Sequence, residues 1–210
     1  MSKTDDYGWT GADPGSSGYL NPAMLAMAQR SGARTVLDAG CGNGALAALL
    51  AASGFTVTGV DGDAEGIRLA KERGSAAQFA TCDFAQPFAG QGLGEAGSYD
   101  LVISTEVVEH LYDPRILPRF CLEALRPGGT LLITTPYHGY LKNLALALAG
   151  KWDHHHNPNW HGGHIKFWSR RTLTALLEGQ GFQVTGFGGI GRLPLLWKSM
   201  VLTAIKPEAA

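Results

Sequence analysis

Short apolar strands alternate along this chain with segments of helical spacing, and that alternation predicts an α/β domain: a parallel sheet with helices on both faces. Two further observations support it. A run of three closely spaced glycines, Gly40, Gly42 and Gly44, stands between a strand and a helix, where a tight turn is needed. The length of 210 residues suits one domain with a self-sufficient apolar core.

The elements follow in order. Pro22 to Arg30 holds helix formers with Pro at a tolerated early position, and Gly32 supplies a stop. Thr35 to Ala39 is a brief apolar strand entering the glycine turn, and Ala45 to Ala52 is the helix that leaves it. Phe55 to Val60 repeats the strand pattern and closes at Asp61, and Ala64 to Arg73 is helical up to Gly74. Ala77 to Thr81 is a third strand, Phe84 to Ser98 a Gly-rich surface loop, and Tyr99 to Ser104 a fourth strand. A helix over Pro114 to Leu125 leads through the turn Arg126–Pro127–Gly128–Gly129 into a strand at Thr130 to Thr135. Pro136 to Lys166 is irregular and rich in His, Trp, Asn and Gly, as binding loops and lids often are. Its apolar part, Leu141 to Ala149, is too short to span a bilayer and reads as a core or lid helix. A helix at Ser169 to Leu177, strands at Phe182 to Thr185 and Val201 to Ile205, and a short helical segment near Pro194 to Lys198 complete a single domain over residues 1–210. It divides into an N-terminal arm and helix (1–34), a core (35–135), a cover (136–168) and a C-terminal helix with a strand hairpin (169–210).

Bulk properties narrow the function. A net charge of −1 removes the strongest reason to expect nucleic acid or anionic lipid as a partner, which leaves a small-molecule acceptor and no membrane. Cys41, Cys82 and Cys121 are odd in number and contain no C-x-x-C pair, so neither a disulfide framework nor a zinc knuckle is indicated. With no export pattern in residues 1–17, the expected location is the cytoplasm.

The chemistry concentrates at the glycine turn. Glycines let backbone approach a ligand without Cβ collisions, and the following helix N-terminus offers unpaired N–H groups. Asp61, roughly twenty residues on and followed by Gly62, is placed to accept both hydrogens of a ribose diol. The spacing G-x-G-x-G, with Asp38 just before it, departs from the dinucleotide spacing G-x-G-x-x-G, so pyrophosphate is not the expected ligand.

Val36–Leu37–Asp38–Ala39–Gly40–Cys41–Gly42–Asn43–Gly44, with Asp61 and Cys82–Asp83–Phe84 arriving in order, resembles the motif set of class I S-adenosylmethionine-dependent methyltransferases over about Thr35 to Thr135. The resemblance implies a Rossmann-like, seven-stranded, mostly parallel sheet whose last strand, Val201 to Ile205, is antiparallel. It implies S-adenosylmethionine as cofactor, with Asp38, Gly40, Cys41, Gly42, Gly44, Asp61, Gly62, Asp83, Phe84, Ser104 and Thr105 on the donor side, Asp83 and Phe84 serving the adenine. A nicotinamide-dependent oxidoreductase is the alternative from another class, and a donor-binding module without turnover is a third reading.

Where the fourth strand ends, Glu106–Val107–Val108–Glu109–His110 would place two carboxylates and an imidazole on one face if helical. This E-x-x-E-H pattern resembles the ubiquinone-biosynthesis O-methyltransferases and the small-RNA terminal ribose O-methyltransferases, both of which bind a divalent cation. That resemblance implies a metal set of Glu106, Glu109, His110 and His164, taking Mg2+ or Mn2+ in preference to Zn2+. The other reading of these acids is a helix first turn favoured by the macrodipole, with Glu106 contacting the donor.

His138, just after the fifth strand, is a metal-free general-base candidate or a hydrogen-bonded structural histidine, and Glu106 is the second catalytic candidate. Trp152, Trp160 and Trp168 either wall an acceptor pocket or pack the cover, and His154 to His156 read as a solvated run. Tyr7, Trp9 and Tyr19 are candidates for a gate over the donor, and Arg192 to Lys198 for an edge of the acceptor pocket. The expected reaction is O-methylation of a small-molecule hydroxyl, with terminal RNA methylation as runner-up and N- or C-methylation open.

Overall fold

The computed structural model describes residues 8–9, 11–155, 159 and 162–208, apart from the side chains of 154 and 155. It contains α1 (Ser17–Ser31), β1 (Thr35–Ala39), α2 (Ala45–Ala52), β2 (Thr56–Asp61), α3 (Ala64–Glu72), β3 (Gln78–Thr81) and β4 (Tyr99–Thr105). These are followed by α4 (Ile116–Ala124), β5 (Leu125–Pro136), α5 (Tyr140–Leu148), α6 (Trp152–His155), α7 (Arg170–Gly179), β6 (Gln183–Ile190) and β7 (Ser199–Ile205).

One seven-stranded sheet runs in the order β3-β2-β1-β4-β5-β7-β6. The first five strands pair in parallel, and β7 lies antiparallel between β5 and β6. The chain order reverses beside β1, and open sheets of this kind bind ligands at such a switch point, above the strands' carboxyl ends.

Alternation along the central strands divides the core between two faces. Val36, Leu101, Ile103, Leu132 and Val201 pack with Met24 and Ala28 of α1 and Leu46 and Leu50 of α2. Their chain neighbours Leu37, Val102, Leu131, Ile133 and Leu202 pack on the other face with Phe120 and Cys121 of α4 and Leu173 and Leu177 of α7. Because both faces are covered, β1 and β4 read as near-continuous apolar runs.

Three expectations change. The segment over 194–198 forms turns, with Leu195 at φ 67°, because the β6–β7 connection must reverse direction within a few residues. The loop over 84–98 carries no function in the sequence reading, yet it inserts Phe88 and Leu93 into the core, where Phe88 meets Phe120 edge-on with 5.2 Å between ring centroids. Residues 106–110 are a bend and a turn instead of a helix, with the amide of His110 donating to Val107 O at 3.0 Å.

Candidate active site

A cavity of about 1350 Å³ opens above the carboxyl ends of β1, β2, β4 and β5. It exceeds the roughly 300–1,000 Å³ that commonly holds one small ligand, so there is room for a donor and an acceptor together.

The glycine turn forms one wall. Gly40, Gly42 and Gly44 have φ of 84°, 52° and 77°, in the left-handed region that glycine adopts without strain. A side chain at Gly40 would collide with Val107, and one at Gly42 with Trp9. Gly40, Cys41 and Asn43 line the cavity, whereas Gly44 packs away from it against Ala70 and Phe79. Asp61, at the tip of β2, accepts from the Gly42 amide at 2.8 Å through Oδ2 and from the Asp63 amide at 2.9 Å through Oδ1. Burial raises its carboxyl above the usual range while those amides oppose the shift.

Asp38 is 1% exposed, lines the cavity, and has no hydrogen bond of normal geometry to either oxygen among the described residues, the Ala47 amide only partly offsetting its burial. Burial and then the charge of Asp61 push its carboxyl up to about 7. Such an unmet buried acid suits a cationic group of a ligand. Gly62, Asp83, Phe84 and Thr105 also line the cavity. Asp83 caps its own loop by accepting from the Ala85 amide at 2.8 Å. Ser104 is fully buried instead and donates to Ala39 O at 2.8 Å, joining β4 to β1 beneath the cavity floor.

The N-terminal segment covers this wall. Trp9 lies against Gly42 and Gly66, Asn43 Nδ2 donates to Ala12 O at 2.9 Å, and Arg73 joins Asp13 in an ion pair while donating to Asn43 O. Trp9 and Tyr19 line the cavity, and Tyr7 lies outside the described residues. The part played by Asn43, Ala12 and Asp13 was not visible in sequence, since nothing local marks their pairing.

The E-x-x-E-H segment splits into two sites. Glu106 adopts φ 54°, and its amide donates to Thr134 Oγ1 at 3.1 Å. Its carboxylate accepts from Thr134 Oγ1 at 2.9 Å and Ser199 Oγ at 3.2 Å, with Tyr19 OH 3.1 Å from Ser199 Oγ. Burial pushes Glu106 up to about 7, against those hydrogen bonds and the charge of Lys142.

Glu109, His110 and His164 converge with one another, one ligand atom from each lying within 4.8 Å of the others. His110 Nδ1 lies 2.6 Å from Gly162 O, a contact that assigns the proton to Nδ1 and the ring's lone pair to Nε2. His164 stands edge-on to His110 at 4.9 Å, and its Nε2 is 3.9 Å from Glu109 Oε1. Glu109 Oε2 accepts from Thr135 at 3.0 Å, but the buried Oε1 has no hydrogen-bond partner among the described residues. Burial and then the charge of Glu106 hold the Glu109 carboxyl well above its ordinary range. The shared helical face expected from the sequence is therefore absent: the left-handed residue turns Glu106 towards β5 and β7, and it is the 162–164 backbone that brings His164 in.

His138 does not line the cavity and packs edge-on to Phe167 at 5.0 Å. Trp168 belongs to the core, Trp152 is 47% exposed, and neither walls the cavity; Trp160 lies outside the described residues, as do His156 and the side chains of His154 and His155. Arg192, Leu196 and Lys198 do edge it. Lys142, missed in sequence, is 6% exposed and donates to Tyr137 O at 2.8 Å and Lys198 O at 3.3 Å. A lone lysine inside the apolar run 141–149 was the available signal.

Comparison with known proteins shows the family and the fold. A family model described as a methyltransferase domain matches residues 18–186. The chain is 35% identical over 190 residues to a ubiquinone biosynthesis O-methyltransferase of Caulobacter sp. (strain K31), covering 84% of this chain and 73% of that protein. It is 34% identical over 120 residues to the protein of that name from Escherichia coli O157:H7, covering 55% of this chain and 50% of the relative. In fold it resembles magnesium protoporphyrin IX methyltransferase from Synechocystis PCC 6803 with bound SAH (TM-score 0.67, 21% identity, 89% of this chain and 82% of that one). It also resembles the [4+2]-cyclase SpnF (TM-score 0.66, 17% identity, 90% and 81%).

Proposed function

Because this chain belongs to the class I S-adenosylmethionine-dependent methyltransferases, we propose that it methylates a hydroxyl of a small molecule with the help of a divalent cation. The observation that carries this reading is the convergence of Glu109, His110 and His164 at the edge of a cavity whose other wall is the glycine turn.

On the donor side, Asp61 would hold the ribose hydroxyls, Asp83 and Phe84 the adenine, and Asp38 the ammonium of the methionyl part. Ser104 supports this set from beneath. S-adenosylmethionine supplies, when bound, a methyl group on a sulfonium. On the acceptor side, Glu109, His110 and His164 would hold the cation, for which the unmet Glu109 Oε1 and the Nδ1-protonated His110 are suited. A bound divalent cation supplies a Lewis acid for the acceptor oxygen.

Glu106 is placed to take the hydroxyl proton. It lines the cavity, its carboxyl lies near neutrality, and Thr134 and Ser199 fix its orientation. Glu106 Oε would accept the proton that the acceptor hydroxyl gives up as the methyl is transferred to its oxygen. His138, beside Phe167, has no part in this scheme.

The relatives named as ubiquinone biosynthesis O-methyltransferases support an oxygen acceptor. We also place the protein in the cytoplasm: Cys41, Cys82 and Cys121 are free and buried, as a reducing compartment allows, and no helix among the described residues is long and apolar enough to cross a membrane.

The test is transfer of labelled methyl from S-adenosylmethionine to catechol with Mn2+ or Mg2+, before and after exhaustive chelation. Transfer that stops on chelation and resumes with the metal supports the reading. Transfer indifferent to chelation removes the metal, and methylation of amines in place of catechol removes the oxygen acceptor.

A further inference from the structure

Glu106 apart, the charged residues lining the cavity are sorted by sign. Its aspartates, Asp13, Asp38, Asp61 and Asp83, come from elements up to β3 and the segment just after it, whereas its lysines and arginine come from residue 142 onward. Three of those cations gather where α5 meets the β6–β7 connection. Lys142 Nζ donates to Lys198 O, which also accepts from the Tyr137 amide at 3.0 Å, so the helix and the loop are fastened together at one carbonyl. Arg192 and Glu106 are the charges that act on Lys142. Lys198 Nζ sits 4.6 Å above the Tyr19 ring.

These cations outnumber their nearest acid. Glu106 is engaged by Thr134 and Ser199, and neither Arg192 nor Lys198 forms an ion pair among the described residues. Lys142 is buried, a costly place for an ammonium, and two carbonyls take only two of its three donors. Arg192 and Lys198 are exposed, so they reach the cavity mouth with little desolvation to overcome. A cavity acidic at one end and basic at the other suits a cationic donor and an anionic acceptor.

Resting on the methyltransferase reading, we propose that Lys142, Arg192 and Lys198 form a subsite for a carboxylate carried by the acceptor, so that the preferred substrate class is an acidic phenol or catechol. The guanidinium of Arg192 offers paired donors to such a group, and Lys142 a point charge deeper in the cavity.

The test compares 3,4-dihydroxybenzoate with catechol as acceptor in the full chain and in Arg192→Ala and Arg192→Ala/Lys198→Ala, both changes being on the exposed connection. The expected result is that wild type prefers the acid and that KM for 3,4-dihydroxybenzoate rises about tenfold more than KM for catechol, as loss of a charged hydrogen bond predicts, with kcat changing little. Equal effects on both acceptors, or none, overturn the proposal. Binding of S-adenosylhomocysteine and of methylthioadenosine, which lacks the amino-acid end, is measured on the same proteins. If the variants weaken only the former, the cluster serves the donor's carboxylate and the proposal is again overturned. A wild type that binds neither nucleoside would defeat the methyltransferase reading itself, an outcome distinct from unselective variants.

Discussion

Asp61 holds the amide of Gly42 at 2.8 Å, nineteen positions back along the chain, and so locks the tip of β2 to the glycine turn that leaves β1. The same carboxylate that would meet a ribose also shapes the turn beneath it. Asp61→Ala therefore has two expected effects. Leaving the amides of Gly42 and Asp63 unmet costs about 1–3 kcal/mol, a fall of several degrees in Tm by scanning calorimetry, and affinity for S-adenosylhomocysteine drops at least about tenfold. Asp61→Asn, which keeps one acceptor, falls between.

Gly40→Ala sets a non-glycine residue at φ 84° and drives its Cβ into Val107. The expected cost is about 1–3 kcal/mol, read by denaturant unfolding. Adding Val107→Ala relieves the collision but leaves the backbone strain, so the double variant recovers only part of the loss. Full recovery would show that sterics alone require the glycine.

Asp38 titrates near 7 because it is buried, with the charge of Asp61 adding to the effect and the Ala47 amide opposing it. Its folded value lies above the unfolded one of about 3.9, so the stability it contributes is complete below that value and is lost as pH rises towards 7. A cationic ligand favours the ionised form, so affinity for S-adenosylhomocysteine is expected to rise between pH 6 and pH 8. Since Glu106 titrates in the same range, the informative comparison is with Asp38→Asn, in which the pH dependence of binding measured by calorimetry should flatten.

His164→Ala removes one corner of the Glu109–His110–His164 set. Mn2+ affinity, measured by calorimetry or electron paramagnetic resonance, is expected to fall at least about tenfold, with S-adenosylhomocysteine binding intact. Glu106→Gln is expected to spare Mn2+ affinity and lower kcat, because the Glu106 carboxylate is held by Thr134 and Ser199. Loss of Mn2+ binding in that variant would return Glu106 to the metal.

Trp9 covers Gly42 and Gly66 at the donor wall. Trp9→Ala is expected to speed dissociation of S-adenosylhomocysteine severalfold in stopped-flow measurements, with a smaller effect on association.

Local pattern and spacing were enough for the β-α alternation, the glycine turn, Asp38 and Asp61, because each is written in consecutive residues or at the end of a strand. Whether Glu106 shared a face with Glu109 was not legible: it depended on one left-handed residue, and φ is not encoded in the identity of a glutamate. Lys142 was hidden for a related reason, since its partners are carbonyls at residues 137 and 198, on separate elements.

The sequence by itself determined the β-α alternation and the glycine turn after the first strand, since backbone sterics and apolar periodicity act over a few residues, and its ordered motifs carried the resemblance to the methyltransferases. Only the tertiary structure decided which polar groups meet across the cavity: that His164 joins Glu109 and His110, that Glu106 turns to Ser199, and that Lys142, Arg192 and Lys198 gather at the far end. Such meetings are set by how β7 and the long connections fold back over the sheet, and no local rule of chain geometry carries that information.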